Sequence, residues 1–252
     1  MKFFDADGPL VFAHRGGMAL GPENTIEAFD AGMNAGADGL ELDVHLSADG
    51  VVVVHHDKTL ERTTNGSGPV AARTAAELAA LNVPTLREVL RRYPTARVII
   101  EMKEDLAALG EAVAREVRAA DAVERVCAAG YGARAVRAAR AALPEMASSV
   151  SLEEVRRALH RTWVCWPLRS CPWQGYQVPE KAGRLRVVSP RFVRYAHQAG
   201  LRVQVWTVDT EPDMIRLLDW GVDGLISNRP DLAVRVRDAW VSARQAVPVA
   251  QP

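Results

Sequence analysis

Cysteine is scarce in this 252-residue chain: Cys127, Cys165 and Cys171 are its only three. That is too few for a disulfide framework. Cys165 and Cys171 lack the other half of a zinc site, so all three read as reduced packing residues. An excess of either charge is also missing, since 31 Lys+Arg balance 31 Asp+Glu. That balance argues against a nucleic-acid partner, as does the lack of a track of interleaved basic and aromatic residues. Aromatics make up only 6% of the chain. The stretch Met1–Pro9 carries Asp5 and Asp7 and no long apolar run. Neither a signal peptide nor a transmembrane segment is expected there, and the expected location is cytoplasmic. What remains is an ordinary soluble composition, 48% hydrophobic and 25% charged.

Short apolar runs alternate with longer helix-patterned stretches. Strands are expected at Leu10–Ala13, Gly39–Val44, Arg97–Met102, Val126–Ala129, Met146–Val150, Gly175–Val178, Arg202–Thr207 and Gly224–Ile226. Val51–Val54 either extends the second strand or adds a hairpin arm. Helical patterns fill the gaps, at Asn24–Ala35, Leu106–Ala119, Ala133–Ala142, Leu152–Leu159, Arg191–Ala199, Glu211–Trp220 and Leu232–Val241. Strands spaced by helices imply βαβ units and a parallel sheet. Eight such units over this length favour the α/β class and a closed (β/α)8 TIM barrel. One unit, residues 1–244, is expected, with an insertion of about 57–84 after the second strand and a disordered tail at 245–252. The sequence carries no signal for an oligomeric state.

Polar residues cluster where strands end. Ala13-His14-Arg15-Gly16-Gly17 follows the first apolar strand, at the end that faces the mouth of a parallel barrel. In Glu41-Leu42-Asp43 the two carboxylates point the same way, because strand side chains alternate. Two such groups are costly unless paired or metal-bound, and their oxygens suit a hard divalent cation such as Mg2+ or Ca2+. His45 continues their register and either lines the site or sits on a partly exposed loop. Glu101-Met102-Lys103 repeats the device on a later strand, adding a third carboxylate and an ammonium group for phosphate. His55-His56-Asp57 ends a run of valines and offers a histidine that an aspartate can orient. Each cluster alone has a structural explanation: a loop cap, a salt bridge, a surface turn. Their convergence on three strand ends points to phosphodiester cleavage.

At these residues the sequence resembles the glycerophosphodiester phosphodiesterase family. The likeness runs through His14-Arg15-Gly16, Pro22-Glu23-Asn24-Thr25, Glu41-Leu42-Asp43-Val44, His56-Asp57 and Leu60-Glu61-Arg62-Thr63-Thr64-Asn65-Gly66. It continues through Glu101-Met102-Lys103, Val205-Trp206-Thr207-Val208 and Gly221-Val222-Asp223-Gly224-Leu225-Ile226. The resemblance implies a barrel with a small insertion, and one divalent cation (Mg2+ or Ca2+, with Mn2+ also accepted by such ligands) held by Glu41, Asp43 and Glu101. It implies His14 and His56 as the acid/base pair, and Arg15 and Lys103 near phosphate. The substrate would be a small-molecule glycerophosphodiester, hydrolysed to glycerol 3-phosphate and an alcohol. The residues leave open which histidine is the base, and whether water or a glycerol hydroxyl attacks. Two positions depart from the family pattern. Asn228 stands where an aspartate is common and reads as a helix N-cap without catalytic consequence; Gly130-Tyr131 replaces a common Ser-Phe pair.

Trp163, Trp166, Trp173 and Tyr176 crowd one segment. They form either a lip contacting a lipid chain, which would suit a lysophospholipase D-like activity, or packing beneath a loop. Trp206 ends the seventh strand and is expected to pack against the glycerol or alcohol moiety.

Overall fold

The computed structural model describes residues 3–163 and 171–245, and the side chains of all of these except 162 and 163. Trp166, Cys165, the side chain of Trp163 and the tail beyond Gln245 lie outside the described residues.

The strands are β1 (Leu10–His14), β2 (Gly39–Leu46), β3 (Val52–Val54), β4 (Arg97–Met102), β5 (Val126–Gly130), β6 (Ala147–Ser148), β7 (Gly175–Pro179), β8 (Lys181–Ala182), β9 (Leu185–Arg186), β10 (Arg202–Trp206) and β11 (Gly224–Ser227). Eight of them form a parallel sheet in the order β6-β5-β4-β2-β1-β11-β10-β7. The sheet curls into a nearly closed (β/α)8 barrel. Its ends meet through Gln174 rather than through a ladder: the Gln174 N–H donates to Ser148 O at 3.2 Å, and the Gln174 Oε1 accepts from the Ser148 N–H at 3.0 Å. β3 pairs antiparallel with β2, so the valine run is a hairpin arm. β8 and β9 form a separate hairpin just after β7.

The helices are α1 (Ile26–Asn34), α2 (Ala75–Ala79), α3 (Leu86–Arg92), α4 (Ala107–Ala119), α5 (Ala133–Ala142), α6 (Leu152–Trp163), α7 (Pro190–Gln198), α8 (Glu211–Asp219) and α9 (Pro230–Gln245). Threonine caps start several of them. Thr25 accepts from the Ala28 N–H, and Thr74 forms a reciprocal capping box with Glu77. α1 begins two residues later than its apolar pattern suggests. Asn24 holds a positive φ of 59° and cannot continue a helix.

Alternation along the strands sorts the core. Ala13, Leu40, Leu42, Val44, Val98 and Ile100 face outward to the helices of the first half. Val203, Val205 and Leu225 do the same in the second half. Inside the barrel, Leu10, Phe12, Ile99, Cys127, Ala129 and Ile226 form an apolar plug, with Phe3 stacked on Phe12 at 5.6 Å between ring centroids. Burying each large side chain contributes about 1.5–3 kcal/mol. The next inward position on these strands is polar, so the plug becomes the floor of the site. The segment between β3 and α3 forms a small core of its own, in which Leu60, Val70, Leu78 and Val83 cluster with Val53 of β3.

Candidate active site

Parallel register sets the site. His14 pairs with Glu41 across β1 and β2, and Asp43 pairs with Glu101 across β2 and β4. One carboxylate oxygen from each of Glu41, Asp43 and Glu101 lies within 4.8 Å of the others. Glu41 and Asp43 are buried. Burial pushes the Glu41 carboxyl well above its ordinary value, and the neighbouring Asp43 and Glu101 charges push it further. Burial also raises Glu101, despite the adjacent Lys103. Three crowded carboxylates, two of them resisting ionisation, form a group capable of holding a metal ion.

Cations already flank them. Lys103 Nζ lies 3.0 Å from Glu101 Oε1 and 3.3 Å from Asp43 Oδ1. Burial opposes the Lys103 charge, but Glu101 and Asp43 outweigh it and raise its pKa. Arg15 has a positive φ of 52°, and its backbone N–H donates to Glu41 Oε2 at 3.0 Å. Its Nε lies 3.2 Å from Asp43 Oδ2. The turn is possible because Gly16 follows it. A Cβ there would come within 2.8 Å of Ala28 and Phe29.

Both histidines are oriented from behind. His56 Nδ1 lies 2.6 Å from Asp57 Oδ1. Arg62 grips the other side of Asp57, holds Glu23 with both terminal nitrogens, and so drives the Asp57 carboxyl below the usual range. Glu23 in turn accepts from Arg15 Nη1 at 3.0 Å. His14 Nδ1 lies 2.6 Å from Asn228 Oδ1. Burial lowers the His14 pKa, and its Nε2 is 3.9 Å from Glu41 Oε2.

His14, Arg15, Glu41, Asp43, His56, Glu101, Lys103 and Trp206 all line one cavity of about 500 Å³. Other sequence readings fare differently. His45 is buried, with Nε2 on His56 O and Nδ1 3.1 Å from Glu104, and it does not line this cavity. His55 bonds Thr59 O and lines a separate groove under the 57–84 segment. Trp173 and Tyr176 are buried, Tyr176 against Phe192, so they pack rather than form a lip. Asn228 is not a helix cap: its side chain joins His14 to Asp209. Tyr131, which the sequence marks only as a departure from the family pattern, lines the cavity edge-on to Trp206 at 6.2 Å.

Residues 14–232 match the model of the glycerophosphoryl diester phosphodiesterase family. The chain belongs to that family. It is 30% identical to a glycerophosphodiester phosphodiesterase of Caldanaerobacter subterraneus subsp. tengcongensis, over 90% of this chain and 97% of the relative. It is 33% identical to a probable glycerophosphodiester phosphodiesterase 2 of Mycobacterium tuberculosis, over 92% of each. The crystal structure of a glycerophosphodiester phosphodiesterase from Agrobacterium tumefaciens superposes with a TM-score of 0.75 at 27% identity, covering 90% of this chain and 99% of that one. The chain is therefore an enzyme, a phosphoric diester hydrolase. None of its described helices is long and apolar enough to cross a membrane.

Proposed function

We propose that this enzyme hydrolyses glycerophosphodiesters to glycerol 3-phosphate and an alcohol, at one divalent cation held by Glu41, Asp43 and Glu101. The observation that carries the reading is the carboxylate triad, two of its members buried, flanked by two cations and two oriented imidazoles in a single cavity. With all three carboxylates ionised, as cation binding requires, three acidic and two basic side chains sum to one negative charge, so a divalent cation makes the site positive toward a phosphodiester monoanion. When bound, that cation would supply Lewis-acid polarisation of a phosphoryl oxygen. Arg15 and Lys103 neutralise the remaining phosphate oxygens. Hard-oxygen ligands accept Mg2+, Ca2+ or Mn2+ alike.

His14 is suited to accept a proton. It is partly buried, its pKa is lowered by that desolvation, and its backing group is a neutral amide. His56 has a carboxylate behind it, as befits a proton donor to the leaving alkoxide. Trp206 packs against the glycerol or alcohol moiety.

A second reading concerns the alcohol. Much of the rest of the cavity lining is apolar, built from Tyr131, Leu152, Val155, Val178, Val187 and Trp206. Such a wall suits an aliphatic leaving group, as in lysophospholipase D-like cleavage of a lipid phosphodiester. Assaying glycerol 3-phosphate release from several glycerophosphodiesters, alongside a lysophospholipid, separates the two. Each assay is run with and without EDTA. Activity is expected to vanish on chelation and return with added cation; turnover that survives complete metal removal refutes the metal site.

A further inference from the structure

Behind His14 lies a chain of hydrogen bonds whose directions are fixed at the far end. An ionised aspartate can only accept. Asp209 Oδ1 accepts from the Asn228 backbone N–H at 2.8 Å and from Ser227 Oγ at 3.0 Å. Its Oδ2 accepts from Asn228 Nδ2 at 2.7 Å. Turning the Asn228 amide over would set its oxygen against Oδ2 at that same distance, with no proton between them. The amide oxygen therefore faces His14, and it too can only accept. The 2.6 Å contact to His14 Nδ1 then requires a proton on Nδ1. A neutral imidazole protonated there has its lone pair on Nε2, on the side of the carboxylate triad.

We propose that Asp209 and Asn228 are positioning residues: through the Asp209–Asn228–His14 chain they fix His14 as the Nδ1–H tautomer, leaving Nε2 bare toward the triad. The proposal rests on the assignment of His14 as proton acceptor. Asp209 comes from the loop after β10 and Asn228 from the end of β11, so two neighbouring strand ends set the chemistry of a residue on a third. A carboxylate one link removed gives His14 direction without placing a full negative charge against its ring.

Two variants separate tautomer control from loop scaffolding. In Asp209→Asn the Asn228 amide is free to turn and present Nδ2 to His14, which favours the Nε2–H form. The double variant Asp209→Asn with Asn228→Asp restores one direction throughout: Asn at 209 donates to Asp at 228, and that carboxylate accepts from His14 Nδ1–H. Ring nitrogens are read by NMR on protein with 15N-labelled histidine, above the ordinary histidine pKa of about 6.5 so that neutral rings dominate. We expect wild type and the double variant to show a protonated Nδ1 and a bare Nε2 for His14, and Asp209→Asn to show loss of that pattern. We expect kcat to fall at least about 10-fold in Asp209→Asn with KM nearly unchanged, and to recover in the double variant. Should Asp209→Asn fold poorly, Asn228→Ala gives the same ring readout while sparing the Asp209 bonds to Ser227 and to the backbone. Retention of the wild-type ring pattern in the single variants, or no recovery of ring pattern and kcat in the double variant, overturns the proposal. A near-normal kcat in His14→Ala would instead refute the proton-acceptor assignment, and the NMR spectra would still decide the tautomer.

Discussion

Replacing Glu41 with Gln is expected to stabilise the metal-free protein while destroying its capacity to bind the cation. Carboxylate oxygens within 4.8 Å of each other repel by about 3.5 kcal/mol per pair at an effective dielectric of about 20. Glu41 faces two such partners and is buried, and against this stand the Arg15 N–H and guanidinium. The balance is unfavourable to the charge, and the carboxyl is held well above its ordinary 4.5. Glutamine removes the charge and keeps an oxygen for the Arg15 N–H. For a chain of this size each 1 kcal/mol so gained raises Tm by roughly 2–4 °C. The sign follows from linkage. Glu41 is raised in the fold, so above its ordinary value the native state binds more protons than the unfolded chain does. The penalty is absent below about pH 4.5 and grows as pH rises through the folded pKa. Thermal melts of chelated wild type and Glu41→Gln should therefore nearly coincide at about pH 4.5 and separate at about pH 8, the variant melting higher. With excess cation the order should reverse, because only wild type gains from binding. A variant no more stable at high pH, or equally stabilised at both, would refute the charge-crowding argument.

The two histidines should be separately indispensable: His14→Ala and His56→Ala are each expected to lower kcat by at least about 10²-fold, and near-normal rates would refute their roles. Trp206→Ala is expected to reduce kcat/KM on every diester the enzyme accepts; full retention on all of them would remove Trp206 from substrate packing. Arg62→Ala should change stability by under about 1 kcal/mol, since Arg62 is about half exposed, yet lower kcat by releasing Asp57 and Glu23 together. An unchanged kcat in that variant would show that Asp57 orients His56 unaided.

The triad was legible because period-two alternation makes a charged residue within an apolar strand conspicuous: Glu41 and Asp43 interrupt Leu40, Leu42 and Val44, and Glu101 follows Ile99 and Ile100. Strand ends and helix patterns placed the barrel for the same reason. The residues behind the histidines were less visible, because their partners are set by register between distant segments. Nothing near Asn228 in sequence announces His14, which is 214 residues away. His45 misled because alternation alone ignores the hairpin. Beyond Val44, β2 pairs with β3, and there the side chain meets Glu104 instead of the cavity. Aromatic density marks Trp173 and Tyr176 as bulky but carries no information on which way they face, whereas lone Tyr131 on a loop reaches the cavity.

The proposed site and the stability of the barrel share one constraint, the register of β2. The same alternation that sends Glu41 and Asp43 inward sends Leu40, Leu42 and Val44 into the helix layer. A slip of one residue would invert both sets, exposing charge to the apolar shell and leucines to the polar mouth. Gly39 enforces the correct pairing at the strand's start, where a Cβ would lie 2.4 Å from Arg97 O and 2.8 Å from the Phe12 ring. Close approach at Gly39 brings β1, β2 and β4 together at the floor of the barrel. His14, Glu41, Asp43 and Glu101 then follow at the mouth, two to four residues further along the same three strands. The apolar plug beneath and the polar site above are therefore successive layers of one alternating pattern. The cost of crowding three carboxylates is carried by the packing that fixes that pattern.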